Sequence, residues 1–324
     1  MSEAPPGSAA GRGSAGLMGA GLILLAATCF GTLGPIARAA DEAGVSSIAL
    51  VTWRAALGAA SMLLFIALRA AAGQHPVRRL RDVPVRDRWF VAGAAVANSV
   101  LNLAMFIAFL RISIALALLV FYIYPAFVAL AGTLWFGERL DRLRWVALGL
   151  ALLGMLGVVA GAGQLGGLDP LGIGLAFGAG LAQAFYVLAA RHGFARVPVV
   201  QAAGLTMGGA AAIYVVIAVL IGQLGTLAQP LASASALWPV LLAGVVGAGV
   251  ATVSFITGIR LLGAARAAIL STFEPVVGVL LAAVLLAERP TALQLVGGAF
   301  IIAAGIVLQL RPRAEVAEHE AVGA

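Results

Sequence analysis

Residues 115–139 read ALALLVFYIYPAFVALAGTLWFGER, and residues 265–289 read ARAAILSTFEPVVGVLLAAVLLAER. At one constant offset of 150, Pro125 matches Pro275, Glu138 matches Glu288 and Arg139 matches Arg289. The register extends to Leu143/Leu293 and Val146/Val296 downstream, and to Ala115/Ala265 and Ala117/Ala267 upstream. A duplicated unit is the simplest origin of such a pattern. If each unit holds an odd number of membrane spans, the two copies lie upside down relative to each other, the arrangement on which alternating-access transporters are built.

Composition places the chain in a bilayer. Of 324 residues, 62% are hydrophobic and only 10% charged, with a mean hydropathy of +1.08, whereas a soluble domain carries roughly 25% charged residues. The net charge of +7 comes from arginine alone, there being no lysine. Those arginines fall in a few short loops, a pattern set by anionic lipid and membrane insertion rather than by nucleic acid. The single cysteine, Cys29, lies in an apolar run, so there is neither a disulfide framework nor a CxxC metal site. AATC lacks the residue a lipoprotein cleavage box requires, and the apolar run continues to Ile36, so the first span reads as a retained helix.

Apolar runs of about 20 residues predict an all-α polytopic membrane protein of ten helices. They lie near 15–37, 46–69, 90–110, 112–136, 143–161, 171–190, 199–222, 237–259, 266–287 and 292–310. Residues 1–14 and 311–324 read as tails, the first expected to be disordered, and 15–161 and 171–310 as two five-helix repeats. With a cytoplasmic N-terminus, the inner loops hold sixteen of the twenty arginines. The outer loops hold Arg38, Arg111 and Arg289, and Arg54 lies within a span. Both termini are therefore expected inside and the repeats inverted.

Ten spans in two halves, each with a tight hairpin leading into P-x12-E-R at the end of its fourth helix, resemble the EamA-type permeases of the drug/metabolite transporter superfamily. The resemblance covers residues 15–310 and implies a multi-pass bacterial inner-membrane secondary transporter, in many members an exporter of amino acids or related metabolites. It also implies a substrate cavity between the repeats, lined by spans 1, 3, 4, 6, 8 and 9. Permeases for organic cations, sugars or nucleosides, and a non-transporting scaffold, remain as alternatives. The expected partners are a small-molecule substrate, membrane lipid and protons as coupling ion, with a homodimer as one assembly the sequence permits. No nucleic acid, cofactor or metal is expected. Catalysis is not expected either: His75, His192 and His319 fall in loops or tail, and there is no HExxH helix or GxGD pair.

Within the spans, Glu274 is the one acidic residue placed deep, about 12 Å past Arg266 at 1.5 Å per residue. It reads either as a proton-coupling site or substrate-ammonium anchor, or as a fixed partner for Arg54 or for backbone freed by Pro275. Arg54 could pair with Glu274, bind a substrate carboxylate, or snorkel to the outer interface. Asn98 and Asn102 share a face of span 3, and Gln183 and Tyr186 a face of span 6. Tyr124 occupies the repeat position of Glu274. Asn102, Tyr124, Gln183 and Tyr186 are taken as cavity candidates against the common alternative of interhelical hydrogen bonds. Pro35, Pro125 and Pro275 interrupt spans 1, 4 and 9 and are candidate gating kinks. Glu138 and Glu288 read as topological residues pairing with nearby arginine at an interface. The glycines, Gly149, Gly154, Gly157, Gly174, Gly178, Gly297 and Gly298 among them, read as packing residues.

Overall fold

A computed structural model describes residues 8–74, 77–112, 114–138, 141–161, 169–285 and 290–309, and among them no strand occurs. The first half comprises α1 (Ser8–Gly31), α2 (Leu33–Glu42), α3 (Ser47–Ala71), α4 (Val85–Arg111), α5 (Ile114–Phe121), α6 (Tyr124–Phe136) and α7 (Arg142–Gly161). The second comprises α8 (Pro170–Leu188), α9 (Val199–Leu220), α10 (Ala234–Gly244), α11 (Ala251–Leu262), α12 (Ala264–Ser271), α13 (Glu274–Leu285) and α14 (Ala292–Gln309). Single π-helical segments continue α8 through Ala189–Gly193 and join α10 to α11 through Val245–Val250. Eight of the described helical stretches are long and apolar enough to cross a membrane, and α14 is a shorter apolar helix. Large apolar side chains such as Leu64, Leu153, Leu220 and Val284 are exposed on the periphery, as helices facing lipid require. α1 begins at Ser8 rather than near 15, so the second half of the expected tail is helical. The Ala, Gly and Ser found there lack apolar bulk, but they do not forbid a helix. Residues 1–7 and 310–324, together with Arg139, Glu288 and Arg289, lie outside the described residues.

The two halves pack through equivalent helices that run antiparallel. α7 meets α14 with Gly154 against Gly297 and Ile301, Gly157 against Leu293, and Gly161 against Thr291 and Gln294, so the numbers climb on one helix as they fall on the other. α3 meets α9 in the same sense, with Gly204 on Met62, Gly208 on Ala59, and Tyr214 clustered with Val51 and Ala55. α8 lies on α4 as its counterpart α1 lies on α11. Exchanging the halves thus preserves the contacts while reversing direction, which is the geometry of an inverted repeat. The closest backbone approach rests on Gly297, where a Cβ would sit 2.5 Å from both the Gly154 carbonyl oxygen and the Val158 nitrogen. Gly149, Gly174 and Gly178, expected to pack, have nothing within 4 Å of such a Cβ; Gly172 and Gly180 make the close approaches of α8 instead.

Both signature prolines fall at helix breaks, and the breaks are in register. α5 ends at Phe121 and α6 starts at Tyr124, just as α12 ends at Ser271 and α13 starts at Glu274. Pro125 and Pro275 are second residues of their helices, where the missing N–H is tolerated. The cost falls on the preceding turn, whose carbonyls lose helical partners. On the second-half break, hydroxyls accompany the kink: Ser271 Oγ donates to the Ala267 carbonyl at 2.8 Å and Thr272 Oγ1 to that of Ile269 at 2.6 Å. Pro35 similarly follows the Gly31–Leu33 break, where Thr32 Oγ1 donates to the Cys29 carbonyl. Gly263, at φ 90°, makes the one-residue turn from α11 into α12 that a side chain would strain.

Candidate functional site

All four tyrosines of the chain, Tyr122, Tyr124, Tyr186 and Tyr214, are buried inside the bundle, and they surround the two charges singled out above. Arg54 is 8% exposed and does not snorkel. Its Nη1 donates to Asn102 Oδ1 at 2.7 Å and its Nη2 to the Gly247 carbonyl at 3.2 Å. Gly247 sits in the π-helical segment, where the i to i+4 ladder gives way to wider turns. Asn102 is itself held, its Nδ2 donating to the Asn98 carbonyl at 2.8 Å. Tyr214 Oη donates to the Ser99 carbonyl at 3.1 Å on the same turn of α4. The shared face of Asn98 and Asn102 therefore serves to aim a guanidinium.

Glu274 is the first residue of α13, where the partial positive charge of a helix N-terminus favours a carboxylate. α1 passes closely behind it: a Cβ on Gly31 would lie 3.0 Å from the Glu274 carbonyl oxygen. The carboxylate faces Tyr122 and lies within electrostatic reach of Arg54. Among the ion pairs between described residues, Arg81–Asp82, Arg111–Asp169 and Glu138–His192, none joins it to Arg54. Glu274, Gln183 and Asn102 are half-buried at this depth, whereas Tyr122, Tyr124 and Tyr186 are occluded. Tyr124 Oη reaches the Ala268 carbonyl at 3.4 Å and lies close to Ser271 and Gln183, which brings α6, α8 and α12 together at the break.

Two buried guanidinium nitrogens of this region, Arg54 Nε and Arg260 Nε, have no hydrogen-bond partner in the protein, whereas the hydroxyls of Tyr122 and Tyr186 lie beside Glu274 and Thr206. Unsatisfied groups are rare in folded interiors, and a cluster of them marks a place built for something other than packing. Tyr186 lies within reach of both Arg54 and Arg260. The fixed charges are thus two cations and one anion, an electrostatic environment suited to a solute that carries a carboxylate. All six predicted binding or coupling residues, Glu274, Arg54, Asn102, Tyr124, Gln183 and Tyr186, fall in this region. Tyr214, the Gly247 carbonyl and Arg260 were missed. The signal for Tyr214 was available, because a chain with so few tyrosines places every one of them in an apolar span.

At the arginine-rich end, Glu138 Oε1 lies 2.8 Å from His192 Nε2, and Phe136 stacks on the imidazole at 4.1 Å between centroids. Gly137 at φ 67° ends α6 and turns the chain back, the Glu138 N–H donating to the Gly132 carbonyl. This pair joins the end of α6 to the end of α8, and so one half to the other. At the opposite end, Arg111 Nη1 meets Asp169 Oδ2 at 3.0 Å. Asp169 also caps α8 through the Leu171 N–H. The Arg111 guanidinium and that backbone donor hold the Asp169 carboxyl below its ordinary value.

An all-helical apolar bundle of two antiparallel halves, closing on a buried charged cluster, defines a polytopic membrane transporter. The family model described as the EamA-like transporter family matches twice, over residues 17–160 and 170–310, and the chain belongs to that family. Its members are transporters of the drug/metabolite type, so this chain is a transporter of that type. A crystal structure of another protein, 24% identical, superposes with a TM-score of 0.74 over 92% of this chain and 99% of that one, which shows the shared fold. No curated protein matches by sequence.

Proposed function

We propose that the protein exports a small metabolite, of the amino-acid type, across the bacterial inner membrane by alternating access. The observation that carries this reading is the pair of opposite charges, Arg54 and Glu274, held in reach of each other at the helix breaks between the halves yet not joined. A zwitterion satisfies both at once, its carboxylate on Arg54 Nε and its ammonium on Glu274. In its absence the Glu274 carboxylate needs another neutralising partner, a proton or the guanidinium. Competition between proton and ammonium for one carboxylate couples the two fluxes. Ten spans with both termini cytoplasmic agree with this reading, α12–α13 and α14 supplying the last two and the arginine-rich end lying inside.

The test is counterflow in proteoliposomes preloaded with a panel of amino acids, comparing wild type with Glu274→Gln and Arg54→Gln. Exchange of one amino acid, lost in Arg54→Gln, together with net efflux driven by a pH gradient and lost in Glu274→Gln, is the expected result. Exchange of an organic cation lacking a carboxylate, indifferent to Arg54→Gln, favours the cation reading, for which Glu274 beside Tyr122 is the supporting observation. Absence of exchange for every solute class refutes transport through this site.

A further inference from the structure

A second concavity, of about 480 Å³, opens between α4 and α9, lined by Val83, Arg88, Val91, Ala95, Leu205 and Gly209 among others. None of the central polar residues reaches it. Its floor is buried, with Val83, Val91 and Ala95 all below 9% exposed, while Ala92 and Val96 on its rim are exposed. Arg88 is the one charged side chain among its lining residues, and it makes no ion pair among the described residues. Trp89, 74% exposed beside it, marks the depth at which amphipathic rings sit at a membrane interface. From Arg88 to Val96 the groove runs roughly 12 Å down α4, from headgroup level into the hydrocarbon.

The head of the groove is built, not frayed. Gln201 of α9 grips the Arg78 backbone by two hydrogen bonds, accepting from its N–H at 2.9 Å and donating to its carbonyl at 2.8 Å, which pins the connecting segment against α9. That segment and the start of α4 also carry Arg79, Arg81, Arg86 and Arg88, against only Asp82 and Asp87. Arg86 is laid over Phe90 at 5.5 Å. At about 480 Å³ the concavity is large enough to take an acyl chain. We propose that this groove is a binding site for one anionic glycerophospholipid, with an acyl chain laid between α4 and α9 and its phosphate at Arg88. A zwitterionic lipid brings its own ammonium against the arginines, so the site selects by headgroup charge as well as by chain.

The test is native mass spectrometry of the full chain, delipidated in detergent and incubated with equimolar phosphatidylglycerol and phosphatidylcholine of identical chains. One phosphatidylglycerol is expected to remain bound, preferred by about fivefold or more, the ratio that one arginine at a charged headgroup supports. Arg88→Gln is expected to abolish the preference while leaving a lipid bound. Ala92→Phe, which fills the groove from its rim, is expected to release both lipids, and Val96→Phe does the same should Ala92→Phe fail to fold. Equal retention of the two lipids by wild type, or undiminished retention by a folded rim variant, overturns the proposal.

Discussion

The aim of Arg54 depends on one amide, and that dependence can be measured. In Asn102→Leu the Oδ1 acceptor at 2.7 Å is removed while side-chain volume is nearly kept, so Nη1 loses its partner inside the bundle. A hydrogen bond to a charged group contributes roughly 1.5–3 kcal/mol, and its loss from a buried position carries that full amount. At about 1.4 kcal/mol per decade this corresponds to roughly 10- to 150-fold weaker binding of a carboxylate solute, since Arg54 keeps only the Gly247 carbonyl at 3.2 Å and is free to swing. Asn102→Asp acts oppositely: it supplies an internal carboxylate that ties up the guanidinium, so transport falls while the fold is retained. The assay is counterflow of the amino acid exchanged most strongly by wild type, read as half-saturation and maximal rate, with thermal unfolding in detergent to show that each variant is assembled. A double-mutant cycle with Arg54→Gln completes it, because residues acting as a unit give strongly non-additive losses. A folded Asn102→Leu protein with wild-type half-saturation, or strictly additive losses in the cycle, refutes the reasoning.

Three further outcomes follow from contacts elsewhere in the bundle. Gly297→Ala pushes a methyl group to 2.5 Å from backbone atoms on α7, which no rotamer change relieves, and is expected to lower stability by about 1–3 kcal/mol, whereas Gly174→Ala, open on all sides, leaves it unchanged; thermal unfolding of both in one detergent checks the contrast. Glu138→Gln and His192→Ala are expected each to cost about 1 kcal/mol, and the double variant no more than either alone, because they remove the same contact across the halves. Asp169 is held below its ordinary value when folded, so its contribution is fully present above the unfolded aspartate value of about 3.9 and disappears as pH falls through the lower folded value. The difference in thermal midpoint between wild type and Asp169→Asn should therefore be constant from pH 7 to about pH 5 and vanish only in strong acid, and a difference already shrinking between pH 7 and 5 contradicts it.

What could be read from the chain and what could not divides along physical lines. The duplication and the helix breaks were legible because proline and apolar run length act locally, wherever the chain ends up. The partner of Arg54 was not, because Gly247 accepts its hydrogen bond from within an irregular turn in VVGAGV, a run that reads equally well as regular helix. The contact of Glu138 with His192 was not legible, since a contact across 54 residues depends on how the halves dock. The glycines divide in the same way: Gly154, Gly157 and Gly297 face a neighbour, while Gly149, Gly174 and Gly178 face open space, and the Gly-rich pattern is the same for both. The gathering of all six predicted polar residues into one region was legible because an apolar bundle offers such groups no other shelter.

The two breaks are equal in geometry and unequal in chemistry, and the inequality matters for how the machine works. An alternating device needs two states of nearly equal energy, so that a solute or a proton worth a few kcal/mol can move the balance. Identical placement of Pro125 and Pro275, with helices ending at Phe121 and Ser271 and restarting at Tyr124 and Glu274, supplies that equality: whatever one half does on one side, the other can do on the opposite side. Were the chemistry duplicated as well, a second carboxylate would stand at position 124, and two buried anions would face a single solute with repulsion to relieve. The chain places a tyrosine there instead, turned to the Ala268 carbonyl on the partner break, and keeps one carboxylate. Under the proposed mechanism, one exchangeable charge on a symmetric hinge gives one coupling event per cycle. Tyr124→Glu is therefore expected to break the stoichiometry of any proton-driven flux before it breaks the fold, and a variant with unaltered proton-to-solute ratio, measured by paired pH and isotope traces in proteoliposomes, would show that the hinge and the charge do not act together.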